Sequence, residues 1–199
     1  SGAAEQPGFA GMMAGLHNGG LILAGGANFP GRLPWMGGKK QFYGGVYIFR
    51  KDGNGAVINT GKIFTLPFPL AYGGSCSTPE GVVCLGGVTP GGISRKALLL
   101  RWNVSAAQLQ IVQLPDLPYA VSNAAVTCYG STVYLAGGET EQSVSSRFLS
   151  LDLEHAAAGW KVLPPMAQPL SHAVFLAHSN GDHPCFSITG GHTRPPRGL

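Results

Sequence analysis

Residues 21–30 read Leu-Ile-Leu-Ala-Gly-Gly-Ala-Asn-Phe-Pro, a short apolar run that ends in a pair of glycines. A loop rich in glycine, proline, aromatic and cationic residues follows this pair and continues to Gly45. A short apolar run bounded by turn residues is typical of a buried β-strand. The stretch therefore predicts a strand that leads into an unusually long loop.

The same pattern occurs three more times, at intervals of roughly 50 to 60 residues. The glycine pairs are Gly25-Gly26, Gly86-Gly87, Gly137-Gly138 and Gly190-Gly191. Two strand-like segments joined by a turn precede each pair, and two more follow each of the first three pairs. Units of about 50 residues with four short strands predict the blades of a β-propeller, in which glycine allows inner strands to approach closely.

The pattern resembles the kelch repeat, most clearly in the third unit, where Trp160, residues 163–166 (Leu-Pro-Pro-Met) and His172 follow the glycine pair. The predicted fold is all-β: one kelch-type β-propeller domain of four-stranded antiparallel blades over residues 1–199. The expected blades span about 8–70, 71–118, 119–169 and, in part, 170–199. Because about three and a half blades would expose sheet edges, we expect the chain to be a fragment, or a further segment or self-association to complete the ring.

Composition narrows the functional classes. The chain has 31 Gly and 15 Pro, only 11% charged residues and 44% hydrophobic residues, which disfavours both long helices and disorder. The net charge is +4, but the cations are spread along the chain, so we expect no nucleic-acid partner. No apolar run has the length of a membrane span, and the chain shows no signal peptide, so we expect no membrane partner.

The four cysteines show no spacing typical of a metal site, so we expect free, buried thiols and no bound metal. Counting outward from the turn at residues 79–80 places Cys84 opposite Ser75. A disulfide between Cys76 and Cys84 would therefore need a shift in register. The redox compartment stays open at this point.

Three stretches carry a more specific resemblance: residues 8–11 (Gly-Phe-Ala-Gly), residues 21–30, and residues 37–40 (Gly-Gly-Lys-Lys). Together they resemble the N-acetylneuraminate epimerase (sialic acid mutarotase) family, in a cyclically permuted branch. The resemblance implies a six-bladed propeller that interconverts the α and β anomers of sialic acid without metal or cofactor. It also suggests a periplasmic or secreted protein. In the order of blades that the permuted branch implies, the acid–base glutamate associated with the family would lie after Leu199.

The order of strands in a blade places the loops between strands 2 and 3 on the same face as the connections between blades. We expect a small sugar acid to bind at this face. Glu139 and His192, which follow glycine pairs, are candidate catalytic acids or bases; a structural hydrogen bond between blades is the alternative. The candidate substrate-binding residues are polar, cationic or aromatic residues of the same face: Asn28, Arg32, Arg95, Tyr72 and His172.

Two classes of function remain open. One is a mutarotase that opens and closes the sugar ring of N-acetylneuraminate by acid–base catalysis, with Arg holding the carboxylate. The alternative is a non-catalytic kelch module that binds a protein or a carbohydrate, which is favoured by the generic sequence of the later blades.

Overall fold

The computed structural model describes residues 8–194. Within that range the regular structure consists of β-strands and two 3₁₀ turns, at Pro34–Met36 and Ala156–Ala158, as the sequence predicted. No helix in this range is long and apolar enough to cross a membrane. The strands in chain order are β1 (Met13–His17), β2 (Gly20–Ala24), β3 (Ala27–Asn28), β4 (Gln41–Phe42), β5 (Gly45–Lys51), β6 (Val57–Thr65), β7 (Gly74–Thr78), β8 (Gly81–Leu85), β9 (Val88–Thr89), β10 (Gly92–Ile93), β11 (Ala97–Asn103), β12 (Gln108–Gln113), β13 (Ala125–Tyr129), β14 (Thr132–Ala136), β15 (Phe148–Asp152), β16 (Lys161–Leu163), β17 (Ser171–Ser179) and β18 (Pro184–His192).

Three sheets contain four antiparallel strands each, in the spatial orders β1-β2-β5-β6, β7-β8-β11-β12 and β13-β14-β15-β16. The hairpin β17-β18 follows them. Each strand of a sheet lies beside its neighbour in the chain, apart from the short pairs β3-β4 and β9-β10 within loops. The predicted four-stranded antiparallel units are therefore present. The predicted blade limits stay predictions, and residues 195–199 of the last one lie outside the described residues.

The sheets meet along one edge, where β1, β7, β13 and β17 lie side by side. Ser75 Oγ in β7 accepts a hydrogen bond of 3.0 Å from Ala14 N in β1 and donates one of 2.9 Å to Ala14 O. We call the edge formed by these four strands the inner edge. The contacts hold consecutive sheets together there.

Apolar side chains between consecutive sheets form the cores. The cluster between the first and second sheets includes the fully buried Met13, Ile48 and Leu100. The cluster between the second and third sheets includes Leu117 and Leu135. Burying a side chain of this size contributes about 1.5–3 kcal/mol, so the interfaces between sheets stabilise the fold.

The glycine pairs fix the path of the chain from one sheet to the next. A Cβ atom on Gly137 would lie 2.0 Å from Leu170 O, and the φ of Gly137 is +67°. The next amide, Gly138 N, donates a 2.8 Å hydrogen bond to that same carbonyl. Gly25 and Gly86 make the equivalent approaches, to the carbonyl oxygens of Leu70 and Val121. Close backbone approach therefore explains the first glycine of the first three pairs, but the partners are carbonyl oxygens in the segments between sheets and not the inner strands that the sequence predicted. A Cβ atom on Gly190 would have no atom within 4 Å.

The cysteines only partly follow expectation. All four are free thiols, and Ser75 pairs with Cys84 in the β7-β8 register, as counted from the turn. Cys84 is buried, but the other three are half-buried. Every residue of β8 is buried, whereas Cys76 and Cys128 lie on strands of the inner edge whose residues are mostly half-buried, so the prediction of buried thiols is correct only for Cys84.

Candidate functional site

A chain of backbone hydrogen bonds crosses the start of each sheet. Tyr72 N donates to Gly11 O (2.8 Å), Asn123 N to Tyr72 O (2.9 Å) and His172 N to Asn123 O (3.0 Å). We call these four residues the inner ladder. All four have positive φ, although only one is glycine. The ladder brings Tyr72, Asn123 and His172 into one row beside the loops that follow the glycine pairs.

Glu139 lies next to this row. Its backbone bridges to Ser122, and its two carboxylate oxygens accept hydrogen bonds from Asn123 Nδ2 (2.9 Å) and Ser171 Oγ (3.1 Å). The side chain of Glu139 is 16% exposed. The hydrogen bond from Ser171 joins two four-stranded units, which is the structural role considered above as the alternative to catalysis for Glu139. The remaining exposure leaves the carboxylate accessible to a small ligand.

Two histidines complete this cluster. His192 pairs with Ser171 in the β17-β18 register, in the same way that Glu139 pairs with Ser122. The rings of His172 and His192 lie 4.7 Å apart, and His172 Nδ1 lies 3.5 Å from Glu139 Oε1. The structure therefore brings together both candidate catalytic residues and one candidate binding residue.

Asn28 is held within the first long loop. It lies in the short pair β3-β4, and its Oδ1 accepts a 2.8 Å hydrogen bond from the Tyr43 hydroxyl. The Tyr43 ring packs edge-on against Phe9 at 4.8 Å between centroids. Phe9 belongs to the Gly-Phe-Ala-Gly motif, and Ala10 of this motif forms a β-bridge with Ala27, so two of the stretches that carry the family resemblance contact each other. Trp35, by contrast, is 79% exposed at the tip of the loop.

A cation from the same loop reaches the inner ladder. Lys40 Nζ lies 4.9 Å from the centroid of the Tyr72 ring and 5.7 Å from that of Phe29. A cation over an aromatic face is attracted by the ring's quadrupole. From the sequence alone the Lys39-Lys40 pair is expected to be solvated, because nothing in it shows that Tyr72, 32 residues further along the chain, packs against Lys40. Tyr72 is thus placed between the loop and Asn123.

Arg32 lines an open cleft of about 660 Å³. Lys39, Lys40 and Phe42 line it from the same loop, and Pro90 lines it from the loop of the second sheet. Three cations around one cleft would favour an anionic ligand. The structure therefore places Arg32 in the same surface region as Lys40.

Arg95 has a different environment. Its Nε lies 3.7 Å from Asp116 Oδ2, and Lys96 Nζ lies 2.9 Å from the same oxygen. Arg95 thus shares one carboxylate with Lys96, and this nearby negative charge weakens its case as a contact for an anionic ligand. Sequence reasoning missed Arg147, whose guanidinium lies 4.4 Å from the centroid of the Tyr119 ring. Burial raises the pKa of Tyr119.

The sheets, their order and their shared inner edge match a fragment of a kelch-type β-propeller. The structure of YjhT has this fold as well: it matches with a TM-score of 0.63 and 16% identity, over 84% of this chain and 56% of that chain. No family model matches the sequence.

The sequence relatives confirm the resemblance to the N-acetylneuraminate epimerase family that the sequence predicted. The chain is 37% identical over 114 residues to N-acetylneuraminate epimerase of Vibrio cholerae, covering 52% of this chain and 28% of the relative. It is 35% identical over 108 residues to the protein of that name from Yersinia pestis, covering 49% and 26%. For Haemophilus influenzae the identity is 38% over 97 residues, covering 44% and 24%. The matches thus span about a quarter of the length of these relatives.

Proposed function

We propose that this chain forms part of a mutarotase that interconverts the α and β anomers of N-acetylneuraminate. The names of its sequence relatives support this substrate. The observation that carries the proposal is a continuous row of contacts, from Lys40 over the Tyr72 ring, along the inner ladder to Asn123, and from there to Glu139. This row brings a cation, an aromatic ring and a carboxylate close together: the cation could attract the carboxylate of a sugar acid, and the carboxylate of Glu139 could exchange protons with the sugar.

Anomer exchange needs two proton transfers. The ring oxygen must gain a proton and the anomeric hydroxyl must lose one, so that the ring opens and closes on the other face. In our proposal Glu139 exchanges these protons, since its carboxylate is both oriented by Asn123 and partly exposed. His192, which lies beside Ser171, is the second candidate for this role.

The remaining candidates would hold the substrate. Arg32 and Lys40 would attract its carboxylate from the cleft that both line. Asn28 would hydrogen-bond a sugar hydroxyl with an amide whose orientation Tyr43 fixes. Tyr72 and His172 would contact the sugar from the inner ladder. Arg95 has the weakest support, since Asp116 already pairs with it.

The experiment compares exchange rates of variants by two-dimensional exchange NMR on N-acetylneuraminate, using the native, full-length product. Glu139→Gln keeps the shape of the side chain but cannot take up a proton, so we expect the rate to fall about 100-fold or more. Glu141→Gln, two residues further along the same loop, is the control and should leave the rate unchanged. A Glu139→Gln rate equal to that of the native protein would remove Glu139 from the proposal. Sugar binding without exchange would favour the carbohydrate-binding alternative.

A further inference from the structure

Three metal-ligating side chains converge at the inner ladder. One donor atom each from Glu139, His172 and His192 lies within 4.8 Å of the other two. Two imidazole nitrogens and one carboxylate oxygen suit Zn²⁺, Ni²⁺ and Cu²⁺. The convergence follows from the fold, because His192 pairs with Ser171 and His172 is the next residue along the chain.

The distance between His172 and Glu139 is compatible with two ligands of one metal ion. His172 Nδ1 lies 3.5 Å from Glu139 Oε1 and 3.4 Å from Ser171 Oγ. Good hydrogen bonds of this kind are about 2.7–3.2 Å long. Two ligands bound to one zinc ion at about 2.1 Å in tetrahedral geometry stand about 3.4 Å apart. Nδ1 of His172 is therefore at ligand distance from the carboxylate without a short partner among the described residues.

Neighbouring groups hold two of the three donors in place. Asn123 Nδ2 and Ser171 Oγ orient the Glu139 carboxylate by hydrogen bonds of 2.9 and 3.1 Å. The backbone of His172 is fixed by its bond to Asn123 O. Partners of this kind orient the ligands of natural metal sites. His192 is exposed, so a rotation of its ring can bring its nitrogen to the ion.

We propose that Glu139, His172 and His192 bind one divalent transition-metal ion, with Zn²⁺ as the foremost candidate. Three protein ligands leave at least one position of a tetrahedral ion open, and the side chain of His172 is 43% exposed. Water or an anionic ligand would take this position. The site departs from the expectation of no metal drawn from the sequence, where the three residues are up to 53 positions apart. The site shares Glu139, His172 and His192 with the proposed anomer exchange, so a bound ion would occupy the carboxylate that the exchange uses; the observations behind the two proposals are separate.

A second cluster on the same chain provides the control. Asp152, Glu154 and His155 also have donor atoms within 4.8 Å of one another. Here, however, His155 Nδ1 lies 2.8 Å from Asp152 Oδ2, which is an ordinary hydrogen-bond distance, and the histidine side chain is 75% exposed. A nitrogen engaged in this way must break its bond before it can bind a metal. We therefore expect no tight site there.

The test is titration of the chelator-treated native protein with Zn²⁺ by calorimetry and with Co²⁺ by visible absorption, which reports the ligand geometry. We expect one saturable site in both titrations. His192→Ala and His172→Asn should each weaken binding at least about tenfold, since a lost ligand costs more than a lost orienting partner. Asparagine is chosen at position 172 because it tolerates positive φ.

His155→Ala is the matched control and should leave the affinity unchanged. Circular dichroism of each variant checks that it is folded. Absence of saturable binding would overturn the proposal, as would binding that His155→Ala abolishes and His192→Ala does not change. Because these readouts need no sugar, a failure of the metal site is distinguishable from a failure of the proposed mutarotase.

Discussion

The backbone amide of His172 donates a 3.0 Å hydrogen bond to the carbonyl oxygen of Asn123, and both residues have left-handed φ values of 56° and 52°. The same bond joins Asn123 to Tyr72, and Tyr72 to Gly11. Non-glycine residues rarely adopt positive φ. Its recurrence at one position in successive units shows that the packing of the sheets imposes it, and the imposed conformation lines up the candidate site.

The strain at the inner ladder is measurable at Asn123. Asn123→Ala and Asn123→Gly both remove the hydrogen bond to Glu139, but only alanine carries the steric cost of positive φ. We expect the free energy of unfolding of the alanine variant to be about 1 kcal/mol lower than that of the glycine variant. Urea denaturation of the two proteins gives the difference. Equal stabilities would show that the ladder imposes no such conformation.

The glycine pairs should be intolerant of a methyl group. Gly137→Ala places Cβ on the carbonyl oxygen of Leu170, so we expect a loss of about 3 kcal/mol in the free energy of unfolding. Gly130→Ala is the control: its φ of +58° is also left-handed, but nothing lies within 4 Å of the added atom. It should cost only about 1 kcal/mol. Similar losses at the two positions would contradict a steric role for the pair.

Tyr43 should tune ligand binding through Asn28. Tyr43→Phe keeps the ring against Phe9 but removes the hydroxyl that bonds Asn28 Oδ1. We expect sugar binding to weaken about threefold to tenfold, in line with the loss of about 1 kcal/mol for one hydrogen bond. Calorimetric titration with N-acetylneuraminate measures it. Tyr129→Phe alters a half-exposed tyrosine elsewhere and should have no effect; an equal effect from both would remove Asn28 from the site.

Cys128 should react as a thiolate near neutral pH. A hydrogen bond from the Cys76 thiol lowers the pKa of Cys128 to about 7, against the opposing effects of burial and of Glu80. The pKa of Cys76 is raised, first by the same hydrogen bond and then by burial, so Cys76 keeps its proton. The Cys128 thiol also donates a 2.9 Å hydrogen bond to the Ser77 carbonyl oxygen, which favours the thiol form and opposes this lowering of the pKa.

Alkylation of Cys128 by iodoacetamide, followed by peptide mass spectrometry across pH 5–10, tests this shift. The rate should rise with pH and reach half its maximum near pH 7. In Cys76→Ala the midpoint should move upward, because the stabilising hydrogen bond is gone while burial and Glu80 remain. A midpoint that Cys76→Ala leaves unchanged would contradict the pairing of the two thiols.

The fold and part of the candidate site could be predicted from the sequence. The glycine pairs and their spacing predicted the four-stranded units. These positions need glycine because a neighbouring carbonyl oxygen leaves no room for a Cβ atom. Counting from those pairs also placed Glu139 and His192 at equivalent positions. The ladder was not predictable in this way: Tyr72, Asn123 and His172 share no residue type, since packing imposes their conformation.

Other contacts depend on side chains that only the packed sheets bring together. Asp116, 21 residues further along the chain, pairs with Arg95, and Lys40 reaches Tyr72 from 32 residues before it. Neither pairing leaves a periodic signal. The sequence therefore favoured Arg95 over Lys40 as a candidate contact, whereas in the structure Arg95 is paired with a carboxylate and Lys40 lies over an aromatic ring beside the candidate site.

The most direct measurement of the central claim is the exchange rate between the α and β anomers of N-acetylneuraminate in the presence of the native, full-length protein. Exchange cross-peaks in NMR spectra give this rate at equilibrium. The account predicts a rate that rises in proportion to protein concentration and exceeds the buffer rate measured at the same pH. A rate equal to that of buffer, with protein that is folded and binds the sugar, would contradict it.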